Sequence, residues 1–189
     1  VEFGSGAIDK IKILLSSKVK CYVPLDISLD FIKKESKKLL KIFPRLKILP
    51  TYCDYTNYVK LPNKIPGIKV GFFLGSSIGN FYNNGEINFL KNAKKTLGKN
   101  SYLIIGVDLK KDKSIFKKAY NDPSNSAAKF NLNLITRMNT ELNTNLAIKD
   151  FEYVSNYNNR KGAVESFIQS KKKQTIFINK KKFIFQKGE

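Results

Sequence analysis

The stretch Val1-Glu2-Phe3-Gly4-Ser5-Gly6 decides the fold of this chain. A short apolar run leads into two glycines around one small residue, and apolar residues at helical spacing follow at Ile8, Ile11, Leu14 and Leu15. This order predicts a buried strand, a glycine turn and a helix. Because glycine has no Cβ, the backbone of such a turn can approach a ligand closely, and the helix that follows directs N–H groups toward it.

The alternation of strand and helix continues to about residue 110. Apolar runs at 21–25, 46–49, 70–74 and 101–107 predict four more strands. One helix is predicted from a cap at Ser28 through Leu40, and another from a cap at Asn84 to a stop at Gly98. The first of these helices would bury Phe31, Ile32, Leu39 and Leu40. Strands and helices in this order predict an α/β fold with a parallel, doubly wound sheet over residues 1–111.

The pattern changes after residue 111. Helical periodicity at 115–120 and 127–142 predicts a helical insertion over residues 112–160. Three β-rich runs at 163–170, 174–179 and 183–185 predict antiparallel strands that complete the sheet within residues 161–189. The lysine triplets at 171–173 and 180–182 are expected to form hairpin tips between these strands.

Composition narrows the chemistry. The chain has 189 residues, 42% of them hydrophobic, and no His, which excludes Ser-His-Asp and Cys-His mechanisms and imidazole metal ligands. Cys21 and Cys53 form no recognisable metal or disulfide framework, so a reducing cytoplasm is expected. No apolar run approaches the roughly 20 residues of a membrane span, so no membrane partner is expected.

The formal charge of +20 raises the question of nucleic acid. Only three of the 35 basic residues are Arg, and the chain is also rich in Asn and Ile. Lys, Asn and Ile share A/T-rich codons, so codon drift explains most of the lysines. We therefore do not expect a nucleic-acid partner, although an enzyme acting on RNA remains an alternative.

Two carboxylates end the second and third predicted strands. Asp26 follows the glycine turn by about 20 residues, the spacing of an acceptor for ribose hydroxyls, and Asp54 could accept from an adenine amino group. Carboxyl ends of parallel strands meet at one edge of the sheet, where open α/β sheets bind ligands. The third glycine of G-x-G-x-x-G is missing, which argues against NAD and favours S-adenosylmethionine.

Longer stretches resemble the histidine-specific S-adenosylmethionine-dependent methyltransferases, which make trimethylhistidine (hercynine) on the route to ergothioneine. The most specific are Phe73-Leu74-Gly75-Ser76-Ser77-Ile78-Gly79-Asn80-Phe81 and Phe130-Asn131-Leu132-Asn133-Leu134. Others are Val1 to Gly6 with Asp9-Lys10, Tyr22 to Ser28, Asp54-Tyr55-Thr56, Ile105 to Asp112 and Ala119 to Asp122. The resemblance covers essentially the whole chain.

The resemblance implies a Rossmann-like class I methyltransferase sheet and S-adenosylmethionine as cofactor. It also implies that the nucleophile is the α-amino group of histidine, with alignment rather than a catalytic side chain driving the reaction. Asn80 and Tyr120 would hold the amino and carboxylate groups, and Ser166 would occupy a further substrate-pocket position. The implied cofactor-binding residues are Gly4, Ser5, Gly6, Lys10, Asp26, Asp54, Tyr55, Gly75 and Ser76.

Members of the resembled family extend further at both ends, so this chain is expected to be a truncated, monomeric, cytoplasmic enzyme. The Glu and Ser with which the family recognises imidazole would fall beyond Glu189. Two alternatives remain open. The chain is a methyltransferase that acts on RNA or another substrate, or it is an inactive remnant that binds the cofactor weakly or not at all.

Overall fold

The computed structural model of this chain describes residues 1–15, 18–63, 65–178 and 180–189. The chain divides into two units, Val1–Asp108 and Leu109–Glu189. Each unit has a hydrophobic cluster of its own.

The first unit is built on parallel strands. In chain order they are β1 (Glu2–Phe3), β2 (Cys21–Tyr22), β3 (Pro24–Asp26), β4 (Lys47–Ile48), β5 (Thr51–Tyr52), β6 (Val70–Phe73) and β7 (Tyr102–Ile105). Five of them form one sheet in the order β5-β3-β1-β6-β7, and every pairing is parallel. A separate parallel ladder joins β2 to β4, just before the chain enters β3 and β5. The predicted parallel α/β sheet is confirmed.

Helices connect these strands: α1 (Ile11–Leu14), α2 (Leu29–Ile42), a 3-10 turn (Ser77–Asn80) and α3 (Gly85–Leu97). The buried side chains of α2 are Ile32, Glu35, Ser36 and Leu39, which is one helical stripe. The prediction that Phe31 and Leu40 are also buried is wrong, since they are 43% and 39% exposed. Each lies one position outside the stripe and therefore about 100° around the helix from it.

The observed ends of α2 and α3 agree only in part with the sequence prediction. α3 stops at Gly98, which adopts φ +82°, as predicted. Ser28 and Asn84 precede α2 and α3, but neither side chain makes a capping hydrogen bond. The backbone N–H of Ser28 instead donates to the Asp26 carboxylate, because Asp26 forms the local turn that begins the helix.

Alternate side chains of β1 and β6 point to opposite faces of the sheet, and helices cover both. Phe3 and Phe73 pack with Phe89 of α3, whose ring centroid lies 5.4 Å from that of Phe3 and 4.3 Å from that of Phe73. On the other face, Ile11 of α1 and Leu39 of α2 pack in a second cluster, with Ile8, Tyr22 and Leu46. This is the doubly wound arrangement.

The second unit contains α4 (Lys113–Tyr120), α5 (Ser126–Leu142), a 3-10 turn (Ile148–Asp150), β8 (Phe151–Asn158), β9 (Ala163–Ser170), β10 (Gln174–Ile178) and β11 (Lys181–Phe185). The strands pair with one another, β8 with β9 and β10 with β11, both antiparallel. Ile135 of α5 packs with Phe151 of β8 and Ile176 of β10. The antiparallel pairing is as predicted, although the strands form two ladders where extra strands of the main sheet were expected.

Three details of this unit differ from the sequence prediction. The segment 112–160 was expected to be helical but ends in β8, an eight-residue strand. Residues 171–173 connect the two ladders and are not a hairpin tip. In the second triplet Lys180 lies in the turn between β10 and β11, as predicted, but Lys181 and Lys182 belong to β11. Asn179, the predicted end of one strand, lies outside the described residues. Within the described part of the chain, no helix is long and apolar enough to cross a membrane.

Candidate functional site

The glycine turn after β1 is held against β3. Gly4 and Gly6 adopt φ of +65° and +51°, a backbone conformation that residues other than glycine rarely adopt. The N–H groups of Gly4 and Ser5 both donate to the Leu25 carbonyl, at 2.8 and 3.2 Å. A Cβ at Gly4 would lie 3.0 Å from the Tyr55 ring, so glycine is required there for space as well.

Asp26 joins the turn from the end of β3. Its Oδ2 accepts from the Gly6 N–H at 3.2 Å, and its Oδ1 accepts from the Ser28 N–H at 2.9 Å. A carboxylate offers about four acceptor positions, so two such bonds leave capacity for a ligand. The structure therefore brings Gly4, Ser5, Gly6 and Asp26 together as predicted.

Asp54 and Tyr55 follow β5 at the same edge. Asp54 is exposed and accepts from the Thr56 hydroxyl (2.6 Å), the Thr56 N–H (3.0 Å) and the Asn57 amide (2.8 Å). The hydrogen bonds from Thr56 in particular hold the pKa of Asp54 below its usual value. Burial first, and then the charges of Asp26 and Asp54, raise the pKa of Tyr55.

Cys53 completes this edge and was not predicted to belong to it. Burial, followed by the nearby charges of Asp54 and Asp26, raises the pKa of its thiol to about 11. The thiol is therefore protonated at neutral pH and is a poor nucleophile. Its position directly after β5 and directly before Asp54 is the sequence signal for including it among the site residues.

Lys10 and Gly75 bring a second loop to the turn. Gly75 follows β6 with φ +77°, and a Cβ there would lie 2.7 Å from the Lys10 Nζ. Lys10 therefore reaches from the segment after the glycine turn to the loop after β6. The next residue, Ser76, adopts φ 59° as the chain enters the 3-10 turn.

The three predicted substrate residues fall in different units. Asn80 is the exposed last residue of the 3-10 turn in the first unit. Tyr120, in the second unit, ends α4 and lines a cavity of about 240 Å³ with the stacked rings of Phe116 and Tyr157. Ser166 lies on β9, where its hydroxyl is 3.0 Å from that of Tyr153. Ser166 is not one of the described residues that line the Tyr120 cavity.

Buried polar groups lie beneath the turn, and sequence reasoning missed them. The Glu2 carboxyl accepts a hydrogen bond from the Tyr22 hydroxyl, and burial raises the pKa of Glu2 to about 7. The Ser5 hydroxyl is buried near Tyr22 and completes no hydrogen bond of normal geometry within the described residues. The sequence signal for Glu2 is its position between Val1 and Phe3 in a strand predicted to be buried.

The fold and this edge define a class of protein. A parallel sheet with helices on both faces, a glycine turn after β1, a carboxylate at the end of β3 and another after β5 are the features of Rossmann-like proteins, which bind ligands at this edge. All of the chain, residues 1–189, matches the histidine-specific, SAM-dependent methyltransferases, and the chain belongs to that family. S-adenosylmethionine is the cofactor of this family.

Curated relatives carry related names. A histidine N-alpha-methyltransferase of Mycolicibacterium smegmatis is 27% identical over 185 residues, which are 94% of this chain and 57% of that protein. Ergothioneine biosynthesis protein 1 of Neurospora crassa is 34% identical over 146 residues, covering 74% of this chain and 17% of that protein. N-methyltransferase fsqC of Aspergillus fumigatus is 26% identical over 201 residues, covering 100% and 54%. The chain thus spans little more than half of the mycobacterial relative.

Proposed function

We propose that this chain transfers methyl groups from S-adenosylmethionine to the α-amino group of histidine, with trimethylhistidine as the final product. The family match and the names of the bacterial relatives support this acceptor. The observation that carries the proposal is the glycine turn bonded to Asp26 at the carboxyl edge of the sheet. This is the arrangement that binds a nucleoside in open α/β folds.

The residues at this edge fit S-adenosylmethionine. Across Gly4 to Gly6 the only side chain is that of Ser5, whose hydroxyl is buried. The turn therefore presents mainly backbone, which suits close contact with the cofactor. We assign the ribose hydroxyls to Asp26, and the adenine to Asp54 and Tyr55. Gly75 and Ser76 would border the cofactor from the loop after β6, and Lys10 would border it from the segment after the glycine turn.

The chemistry needs alignment more than acid–base catalysis. Bound S-adenosylmethionine supplies a methyl group that is activated by its attachment to a positively charged sulfur. In the proposal, Asn80 and Tyr120 hold the amino and carboxylate groups of the acceptor so that the amine lone pair faces that methyl group. Amide and phenol groups can do this without trapping the lone pair, and the gain is one of proximity and orientation.

The acceptor is the part of the proposal that most needs a test. One relative is a different N-methyltransferase, fsqC, so another amine is the competing acceptor. We assign Ser166 to the acceptor side chain, as the resemblance implies. Its exposure and its contact with Tyr153 leave the hydroxyl accessible to a polar ligand.

RNA is the other competing acceptor, and one group of lysines can be located relative to the proposed cofactor edge. Four lysines, Lys91, Lys94, Lys95 and Lys99, line a shallow concave surface at the C-terminal part of α3. Because α3 connects two parallel strands, β6 and β7, this end of the helix lies at the amino edge of the sheet. These lysines therefore lie away from the proposed cofactor edge. We propose that the chain has no nucleic-acid partner and that it acts as a monomer. We also propose that it acts in the cytoplasm, where Cys21 and Cys53 stay reduced.

Calorimetry and an acceptor panel test the proposal. The chain is titrated with S-adenosylhomocysteine and, separately, with NAD, and we expect heat only from the first. It is then incubated with S-adenosylmethionine and histidine, other amino acids or RNA, and the products are identified by mass spectrometry. Methylated histidine supports the proposal, whereas methylation of another acceptor alone corrects the substrate. Failure to bind S-adenosylhomocysteine would overturn the cofactor assignment.

A further inference from the structure

Glu35 is a buried carboxylate on a lysine-rich helix. It belongs to the buried stripe of α2 and is only 5% exposed. Burying a carboxylate is costly unless the charge is paired and hydrogen-bonded. Its presence on this face therefore requires partners that compensate for the lost water.

The two oxygens of Glu35 have different partners. Oε1 accepts from the Nζ of Lys38, one turn along α2, whose side chain is 55% exposed. Oε2 accepts from the backbone N–H of Ile8 at 3.3 Å, a buried bond across 27 residues of sequence. The hydrogen bond from Lys38 lowers the pKa of Glu35, so the carboxylate is ionised at neutral pH.

The Ile8 bond fixes a segment that has little local structure. Residues 7–10 lead from the glycine turn into α1, a helix of four residues without a side-chain cap. The N–H of Gly6 is held by Asp26, and the N–H of Ile8, two residues later, is held by Glu35. Two carboxylates thus hold alternate N–H groups on either side of Ala7. Lys10, which reaches Gly75, leaves from the end of the segment they fix.

We propose that Glu35 is a positioning residue for the cofactor: through the Ile8 N–H it fixes the backbone that carries the glycine turn and Lys10 in the geometry that binds S-adenosylmethionine. This inference rests on the proposed function of the turn. Glu35 itself touches no cofactor atom in this proposal. It acts through Gly6, Ile8 and Lys10.

Two substitutions separate the hydrogen bond from the charge. Glu35→Ala removes the acceptor, and we expect the dissociation constant of S-adenosylhomocysteine to rise about tenfold, in line with a charged hydrogen bond. Glu35→Gln keeps a carbonyl oxygen for the Ile8 N–H and should restore most of the affinity. Lys38→Met removes the ion pair but not the Ile8 bond, so it should change the affinity little.

Ile32→Val is the matched packing control. Ile32 lies on the same buried stripe, one turn before Glu35, and its loss of a methylene should lower the melting temperature without changing cofactor affinity. Affinities are measured well below the melting temperature of every variant. Hydrogen exchange of the Ile8 amide, measured without cofactor, should accelerate in Glu35→Ala and stay slow in Glu35→Gln.

The outcomes distinguish this inference from the function on which it rests. If Glu35→Ala binds the cofactor as tightly as the parent while Asp26→Ala binds it weakly, Glu35 is merely structural and the inference is wrong. If Glu35→Gln is as impaired as Glu35→Ala, the charge and not the Ile8 bond matters, and the inference is again wrong. A parent chain that binds no cofactor overturns the proposed function, and this inference with it.

Discussion

The Oδ2 atom of Asp26 lies 3.2 Å from the backbone nitrogen of Gly6, across 20 residues of sequence. This bond ties the end of β3 to the glycine turn, while the other carboxylate oxygen begins the turn into α2 through Ser28. Asp26 therefore has an organising role in the protein before any ligand binds. Its proposed contact with ribose would be added to that role.

Replacing Asp26 should weaken cofactor binding more than it weakens the fold. Asp26→Ala removes the acceptor proposed for the ribose and releases the Gly6 N–H. We expect a loss of about 1.5–3 kcal/mol in S-adenosylhomocysteine binding by calorimetry. Asp30→Ala, an exposed carboxylate four residues further along, is the control and should bind normally. Equal affinities for Asp26→Ala and the parent would remove Asp26 from the cofactor site.

Asn80→Ala should lower the methylation of histidine without lowering the affinity for the cofactor. Because Asn80 is proposed to touch only the amino-acid acceptor, its loss should lower kcat/KM for histidine by about tenfold or more while the affinity for S-adenosylhomocysteine is unchanged. Steady-state methylation assays and calorimetry measure the two quantities. Asn88→Ala, on α3, is the matched amide control. Unchanged histidine methylation in Asn80→Ala would show that the residue does not hold the acceptor.

Gly71 in β6 is required by packing. A Cβ there would lie 2.7 Å from the Leu97 Cδ1 and 2.9 Å from the Leu103 Cδ1, both in the core of the first unit. Gly71→Ala should therefore lower the free energy of unfolding by about 1–3 kcal/mol, as overpacking does. Urea denaturation measures the change. Gly79→Ala meets open space and should be close to neutral, and a similar loss in both variants would contradict the packing argument.

Glu2 should make stability depend on pH. Burial raises its pKa in the folded chain from 4.5 to about 7, although the Tyr22 hydroxyl, the Val1 amino group and Lys10 oppose that shift. Between these values the folded chain keeps a proton that the unfolded chain has released, so this contribution to stability falls as pH rises from about 4.5 to 7. Its size is on the order of 3 kcal/mol.

Glu2→Gln removes this titration and serves as the test. The difference in unfolding free energy between parent and variant should move in favour of the variant as pH rises through that window. Urea titrations at several pH values measure it, and the subtraction cancels the contributions of groups that titrate alike in both proteins. A difference that stays constant from pH 4.5 to 8 would show that Glu2 is not protonated in the folded chain.

Local sequence patterns were enough to predict the parallel sheet and the edge at which the glycine turn and the two carboxylates lie. The apolar run at 70–74 and the glycine turn at Gly4 are strong local signals, and strand order then places Asp26 and Asp54 at one edge. Gly98 likewise marks the end of α3 through its backbone conformation. These features depend on residues close together in sequence, so one sequence is sufficient to find them.

Features that depend on distant contacts were not predicted. The Ile8–Glu35 bond and the Glu2–Tyr22 bond join residues at least 20 positions apart, and no local pattern specifies such a pairing. The strand β8 was missed because its second half is rich in Asn, which has low strand propensity, while its pairing with β9 supplies the stability. For Glu35 a usable signal existed, since it shares a helical stripe with Ile32 and Leu39.

The Tyr55 ring that covers Gly4 has a consequence for directed evolution of this protein. Any side chain at position 4 would press on that ring, and any larger ring at position 55 would press on the turn. The two positions are therefore coupled by size, and libraries that vary position 4 alone should return mainly glycine. Libraries that shrink position 55 while enlarging position 4 could relieve the crowding, but the left-handed backbone at position 4 would still favour Gly, followed by Asn.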